Sequence, residues 1–241
     1  MTFNARTVDV WAFDLLAPDE RVECAYDLIS EDERLRAERF HFPADRRRFV
    51  VARASLRQVL GDYLEIHPKR LAFEYSEYGK PKLSSPNTDL RFNLSHSRER
   101  ALIACTRGGE IGVDIECIRL DLEVNDLAQR FFSVAENERL RALPSGLKHL
   151  AFWRCWTCKE AYAKALGKGL SLDPRGLDVS VVLNKLGAPA GAIENFAVDG
   201  WSLMVLGPAT VDGYASALAV ESGEFIVKMH PIPGDEKQAD T

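Results

Sequence analysis

Apolar residues alternate with polar ones along some stretches of this chain and recur every three to four residues along others. These periods mark strands and helices respectively. Val8 to Leu15 predicts a first strand, with Trp11, Phe13 and Leu15 alternating. Asp19 to Arg39 is charged and helix-prone, and Ser30 followed by Glu33 has capping-box spacing. Pro43-Ala44-Asp45 opens a second helix with Phe49, Ala52, Leu56, Val59 and Leu60 on one face. Arg46, Arg47, Arg53 and Arg57 lie on the other face, and Gly61 and Pro68 bound it. Leu71 to Tyr75 predicts a strand, Tyr78 to Pro81 a turn, and Ser84 to Asp89 a polar loop. Leu90 to Leu94 alternates and runs into Ser95-His96-Ser97. Ala101 to Thr106 is another strand, and the Gly108-Gly109 turn predicts a hairpin into Ile111 to Glu116.

Beyond Glu116 the pattern turns helical. Leu122 to Phe132 is a short helix, and the capping box Ser133-Val134-Ala135-Glu136 starts another that ends before Pro144. His149 to Leu166 is a strong helix with Phe152, Trp153, Trp156 and Ala163 near one face, ended by Gly167 and Gly169. Leu177 to Met229 reads as strands, LDVSVVL, WSLMVL, YASALAV and FIVKM. The tail from Pro231 to Thr241 is polar and expected to be disordered. No sequence repeat is visible, yet helices followed by strands occur twice. The expected fold is α+β, built of two similar halves, 1–110 and 111–230, with 231–241 as a tail.

Composition narrows the classes. The 241 residues suffice for one large domain or two small ones. A net charge of −5 disfavours non-specific nucleic-acid binding, although Arg34 to Arg57 holds eight arginines able to meet phosphates locally. Five scattered cysteines do not suggest a disulfide framework. No apolar run reaches the length of a membrane span, and Met1 to Val10 lacks a signal-peptide core. A reduced cytoplasmic setting is expected.

The chemistry centres on Ile111-Gly112-Val113-Asp114-Ile115-Glu116. Its period of two puts the aliphatic residues on one face and Gly112, Asp114 and Glu116 on the other. Two carboxylates about 4 Å apart repel by roughly 4 kcal/mol at an effective dielectric of about 20, and a cation between them reverses the sign. Glu160, on the strong helix, is the candidate third carboxylate. An all-carboxylate set favours Mg²⁺ or Mn²⁺. Taken alone, Asp114-Ile115-Glu116 more commonly means two solvated acids. Lys159, Glu160, Lys164 and Lys168 form a polar stripe, and a half-buried Lys beside a metal suits phosphate. Gly79-Lys80-Pro81 is a turn whose Lys is held by its neighbours. Ser95 and His96 point to opposite strand faces, a poor nucleophile–base pair, so ligand binding is their better use and a strand-end histidine the bland one. Cys155 and Cys158 lie in an aromatic helix and read as packing, and no P-loop or dinucleotide fingerprint occurs.

Together these residues resemble the 4′-phosphopantetheinyl transferases of the larger, surfactin-synthetase-activating (Sfp-type) class. The resemblance rests on ordered motifs: RRRFVVAR at 46–53, YGKP at 78–81, FNLSHS at 92–97, GVDIE at 112–116, RFFS at 130–133 and WTCKEAYAKALGKGL at 156–170. It implies two α+β halves related by a pseudo-twofold axis, with coenzyme A in the cleft between them. It further implies that Asp114, Glu116 and Glu160 hold Mg²⁺ and that Lys164 contacts the coenzyme A phosphates. Gly79, Lys80 and Pro81 would line the coenzyme site, and Ser95 and His96 would contact its nucleotide end. Arg36 and Arg48 would meet the 3′-phosphate, although Glu33 stands where some members carry a Lys. The implied reaction moves phosphopantetheine to a serine of an apo acyl or peptidyl carrier protein and releases 3′,5′-ADP, with Glu160 or Glu116 as base. A monomer suffices, with no nucleic acid or membrane partner. The competing readings are a Mg²⁺-dependent phosphohydrolase using the same carboxylates and a non-catalytic coenzyme A-binding module.

Overall fold

A computed structural model describes residues 6–185, 194–207, 213–221, 223 and 225–231. The first half runs β1 (Arg6–Asp14), α1 (Asp19–Leu28), α2 (Glu31–Glu38), α3 (Pro43–Leu64), β2 (Ala72–Tyr75), β3 (Pro81–Ser85), β4 (Leu90–Ser97) and β5 (Arg100–Arg107). The second runs β6 (Ile111–Cys117), α4 (Val124–Phe131), α5 (Val134–Ala142), α6 (Ser145–Leu166), β7 (Glu194–Val198), β8 (Trp201–Leu206) and β9 (Tyr214–Glu221). β10 (Phe225–Pro231) closes the described chain. One four-stranded sheet has the order β10-β1-β5-β4, the other β6-β9-β8-β7, and β2 and β3 form a separate hairpin. The α+β fold of two similar halves is therefore present. β10, which the sequence groups with the second half, pairs parallel with β1 in the first sheet.

Strand alternation makes four layers. Val8, Val10, Leu102 and Ala104 of the first sheet meet Ile111, Val113, Ile115 and Leu218 of the second in one buried cluster. The outer face of the first sheet buries Phe13, Phe92 and Ile103 against Val51, Leu56 and Leu60 of α3. The outer face of the second buries Leu203, Ala217 and Ala219 against Phe152, Cys158 and Ala161 of α6. Cys155 and Cys158 are both buried, and burial pushes their thiols up.

The halves also repeat an internal device. Each has a Ser-x-x-Glu capping box at a short helix, Ser30 with Glu33 and Ser133 with Glu136. In each, the glutamate is fully buried and pairs with a cation from the following 22-residue helix. Glu33 takes Arg53 Nε and Arg57 Nε, both at 2.6 Å, and Glu136 takes Lys159 Nζ at 2.9 Å. The arginine face expected on α3 is corrected accordingly: Arg53 and Arg57 are interior, because a buried carboxylate must be paired. Lys159 likewise leaves the polar stripe of α6 for the core.

Other expectations change for identifiable reasons. α3 runs through Gly61 and ends at Glu65, whose φ is 53°. At Gly61 a Cβ would sit 2.7 Å from the Ile66 carbonyl oxygen, so the glycine serves a close approach and does not stop the helix. β5 and β6 form no hairpin. β5 already has β1 and β4 as neighbours, and β6 pairs with β9, so the glycine turn passes the chain between sheets. The LDVSVVL stretch is no strand: Ser180–Lys185 is 3-10 helical, and the Val179 amide donates to Glu136 at 2.7 Å. The short strands β3 and β7 were not expected. β7 reaches β8 through Asp199 and Gly200, both at positive φ, as a two-residue hairpin turn requires. The tail beyond Pro231 lies outside the described residues.

Candidate active site

β6 turns its aliphatic face to the interior between the sheets and its Gly112, Asp114 and Glu116 face towards α6. Gly112 sets the distance. A Cβ there would lie 2.0 Å from the Ala161 carbonyl oxygen and 2.4 Å from the Ala165 amide nitrogen. Only glycine lets the helix rest on the strand this closely. That contact brings Glu160 and Lys164 beside Asp114 and Glu116. The helix is held down by aromatic packing, Phe152 stacking on Phe132 and Trp156 meeting Phe131 edge-on.

Lys164 Nζ bonds Asp114 Oδ1 at 2.5 Å and Ser95 Oγ at 2.7 Å. Ser95 donates its own proton to Asp114 Oδ1 at 2.9 Å. The carboxylate of Asp114 is 2 % exposed, and its second oxygen, Oδ2, is buried without a hydrogen-bond partner among the described residues. Glu116 accepts a hydrogen bond from Ser97 Oγ at 2.7 Å. Desolvation raises the Glu116 carboxyl above its ordinary range, the Ser97 bond opposes this, and Asp114 adds to it. Desolvation also raises Glu160, reinforced by Asp114 and opposed by Lys164. Among the described residues no three His, Cys, Asp or Glu side chains gather closely enough to hold a metal ion. The three acids thus repel one another without converging on a point, and Asp114 and Glu116 turn to serine hydroxyls and to Lys164. A buried carboxylate oxygen left bare is costly. A carboxylate oxygen of this kind, near two further carboxylates, suits a hard divalent cation.

The remaining candidates fall on either side of this cluster. Tyr78, Gly79, Lys80 and Pro81 line a cleft of about 260 Å³ together with Glu160 and Lys164. Lys80 is occupied within it. Its ammonium donates to Glu110 Oε2 at 2.7 Å, Ala165 O at 2.8 Å and Ile111 O at 3.2 Å, which uses all three protons. His96 is on the opposite strand face from Ser95. Desolvation and then Lys164, Arg48 and Arg36 hold its imidazole below its ordinary range, with Asp45 opposing. The charges of Arg36 and Arg48 thus reach the His96 ring, and Arg48 is also paired with Asp45 at 3.0 Å. Ser95 is buried, its lone pairs taken by Lys164 and the Ile115 amide and its proton by Asp114. Sequence reasoning passed over Ser97, Asn93 and Glu110. The alternation Asn93, Ser95, Ser97 on one strand face was the available signal for the first two; Glu110 had none.

Comparison with known proteins places this geometry. A family model described as 4′-phosphopantetheinyl transferase superfamily matches residues 110–219, and one described as 4′-phosphopantetheinyl transferase, N-terminal, matches 17–108. The 4′-phosphopantetheinyl transferase HetI of Nostoc sp. is 37 % identical over 222 residues, 91 % of this chain and 90 % of that protein. The chain belongs to the 4′-phosphopantetheinyl transferase superfamily. Two further relatives match over shorter stretches. The 4′-phosphopantetheinyl transferase Sfp of Bacillus subtilis is 33 % identical over 154 residues, 64 % of this chain and 66 % of its own. The transferase AcpT of Escherichia coli O157:H7 is 38 % identical over 122 residues, 51 % of this chain and 58 % of its own. The two transferase models abut at 108 and 110, where the chain leaves the first sheet for the second. Among the described residues no helix is long and apolar enough to cross a membrane.

Proposed function

We propose that this protein transfers the 4′-phosphopantetheine arm of coenzyme A to a serine of an apo acyl or peptidyl carrier protein. The bare Oδ2 of Asp114, beside Lys164, Glu116 and Glu160, carries the reading beyond family membership. A buried carboxylate oxygen without a partner suits a cation, and the Lys164 ammonium, which gives two protons to Asp114 and Ser95, has a third to offer a phosphate. Asp114 would offer Oδ2 to Mg²⁺ or Mn²⁺, and Glu116 and Glu160, which do not converge with it in this arrangement, would turn to complete the set. Held there, the ion would supply positive charge to the pyrophosphate and to the departing 3′,5′-ADP.

The chain's own residues supply the rest. Arg36, Arg48 and His96 bind the 3′-phosphate and nucleotide end, and Gly79 and Pro81 line the neighbouring wall. Lys80 holds that wall to β6 and α6, and Ser95 orients Asp114 and Lys164. Lys164 carries charge on the transferring phosphoryl group. The carrier serine oxygen bonds to the β-phosphorus as the bond from that phosphorus to the bridging oxygen breaks. The serine proton passes to Glu160, whose carboxylate has no hydrogen-bond partner among the described residues. Glu116 is the alternative acceptor. Burial raises both carboxyls above their ordinary range, and a cation held beside them would oppose that shift. Both halves lie in one chain, as in the larger, Sfp-type class, so a monomer suffices. Five cysteines without disulfides suit the cytoplasm.

The deciding experiment incubates the protein with an apo carrier, coenzyme A and Mg²⁺ and weighs the carrier by mass spectrometry. A phosphopantetheine adduct is expected, lost in Asp114→Ala. No adduct on fatty-acid, polyketide and peptide-synthetase carriers alike would remove the transferase reading.

A further inference from the structure

β4 and β6 are edge strands of different sheets, and they meet without a backbone ladder. The outward N–H groups of Val113, Ile115 and Cys117 are taken by side chains of β4. They donate to Asn93 Oδ1, Ser95 Oγ and Ser97 Oγ at 2.9, 3.4 and 3.1 Å. A hydroxyl differs from a carbonyl in having a proton to give. Because the Ser97 oxygen accepts from Cys117, its proton is directed to Glu116 Oε2, at 2.7 Å.

We propose that Ser97 is a positioning residue for phosphopantetheinyl transfer, fixing the Glu116 carboxylate so that its other oxygen is presented to the cation. The proposal rests on the reading of Asp114, Glu116 and Glu160 as cation ligands. The terminal torsion of a glutamate is broad, so a carboxylate on a strand needs a partner to define its plane. Ser97 is the hydrogen-bond partner Glu116 has among the described residues. Ser95 repeats the arrangement two residues earlier, accepting from Ile115 and donating to Asp114. One strand of the first half thus orients two carboxylates of the second, and the seam between the halves sets the cation site.

Mn²⁺ binding to the protein without coenzyme A or carrier, read by electron paramagnetic resonance, tests this. Hydrogen-bond partners of metal ligands carry about 10–100-fold in affinity, so Ser97→Ala is expected to weaken Mn²⁺ binding by about tenfold. The Mg²⁺ concentration for half-maximal transfer should rise by a similar factor. Ser97→Thr keeps the hydroxyl and should stay within about twofold of wild type. Asn93→Ala cuts the same seam at a rung with no carboxylate, so it should lower Tm and leave Mn²⁺ affinity alone. If Ser97→Ala does not fold, Ser97→Cys, similar in size and a weak donor, takes its place with the same expectation. Unchanged Mn²⁺ affinity in the alanine or cysteine variant, or an equal loss in Asn93→Ala, overturns the positioning role. Wild-type protein that binds no Mn²⁺ overturns the cation reading itself, which the wild-type measurement reports separately.

Discussion

Lys164 Nζ stands 2.5 Å from Oδ1 of Asp114, while Oδ2 of the same carboxylate is buried with no hydrogen-bond partner among the described residues. The ammonium therefore supports the folded site as well as its chemistry. Lys164→Met leaves the Asp114 charge without its partner beside two other acids. Breaking a buried pair costs about 3–5 kcal/mol, and the partial exposure of Lys164 places the loss towards the lower end. Thermal scans in EDTA should show a clear fall in Tm, and added Mg²⁺ should restore more of it than it adds to wild type. The transfer rate should stay down by about 10²–10³-fold, because the charge on the phosphoryl group is no longer met. A variant with wild-type Tm in EDTA would remove the pair from the stability of the site.

The approach of α6 to β6 depends on the missing side chain of Gly112. Its nearest neighbours, Ala161 O and Ala165 N, are backbone atoms of the helix and cannot rotate away. Gly112→Ala must lift α6 from the strand, and overpacking of this kind costs about 1–3 kcal/mol or more. Lifting the helix also separates Glu160 and Lys164 from Asp114, so transfer should fall by at least about 10²-fold. Unchanged Tm and transfer would show that the helix has slack here.

Much of this arrangement is legible without coordinates. The two-residue period of Ile111 to Glu116 separates the buried face from the acidic one, and the aromatic helix after Pro144 announces α6. Both capping boxes can be read from Ser-x-x-Glu spacing. What spacing does not reveal is where the second carboxylate oxygen goes. Arg53 and Arg57 occupy a helical face that looks solvated until Glu33 is found inside. Leu177 to Leu183 has strand composition, but Ser180–Lys185 is 3-10 helical and Glu136 takes the Val179 amide. The role of Ser97 and the ties of Lys80, itself named from the sequence, are not legible for the same reason: their partners lie 19 to 85 residues away, across the seam.

Lys80 gives a prediction that differs from a simple phosphate ligand. Its three protons go to Glu110, Ile111 and Ala165, tying the β2–β3 hairpin to the start of β6 and the end of α6. Lys80→Met keeps the stem and deletes the tie. Hydrogen bonds to a charged group contribute about 1.5–3 kcal/mol, so stability should drop by roughly that amount. For a chain of this size, that lowers Tm by about 3–12 °C. Amide exchange at Ile111 and Gly112 should quicken, and KM for coenzyme A should rise through the displaced wall. A raised KM with wild-type Tm and exchange would instead make Lys80 a direct ligand.

Glu33 sets the acid limit of the first half. Burial alone would raise its carboxyl, but Arg53, the Ser30 amide and Arg57 outweigh burial and hold it below the ordinary range. A carboxyl depressed in the folded state adds stability above its unfolded pKa, and that stability drains away as pH falls through the folded value. The first half should therefore lose stability progressively below about pH 4.5, the range in which an unfolded glutamate begins to bind its proton. Glu33→Gln leaves Arg53 and Arg57 buried without a counter-ion. It should cost about 3–5 kcal/mol at pH 7 and flatten the acid limb of the stability curve. Urea titrations of both proteins between pH 3 and pH 7 measure the difference. Parallel curves for wild type and variant across that range would assign the acid sensitivity to other carboxylates.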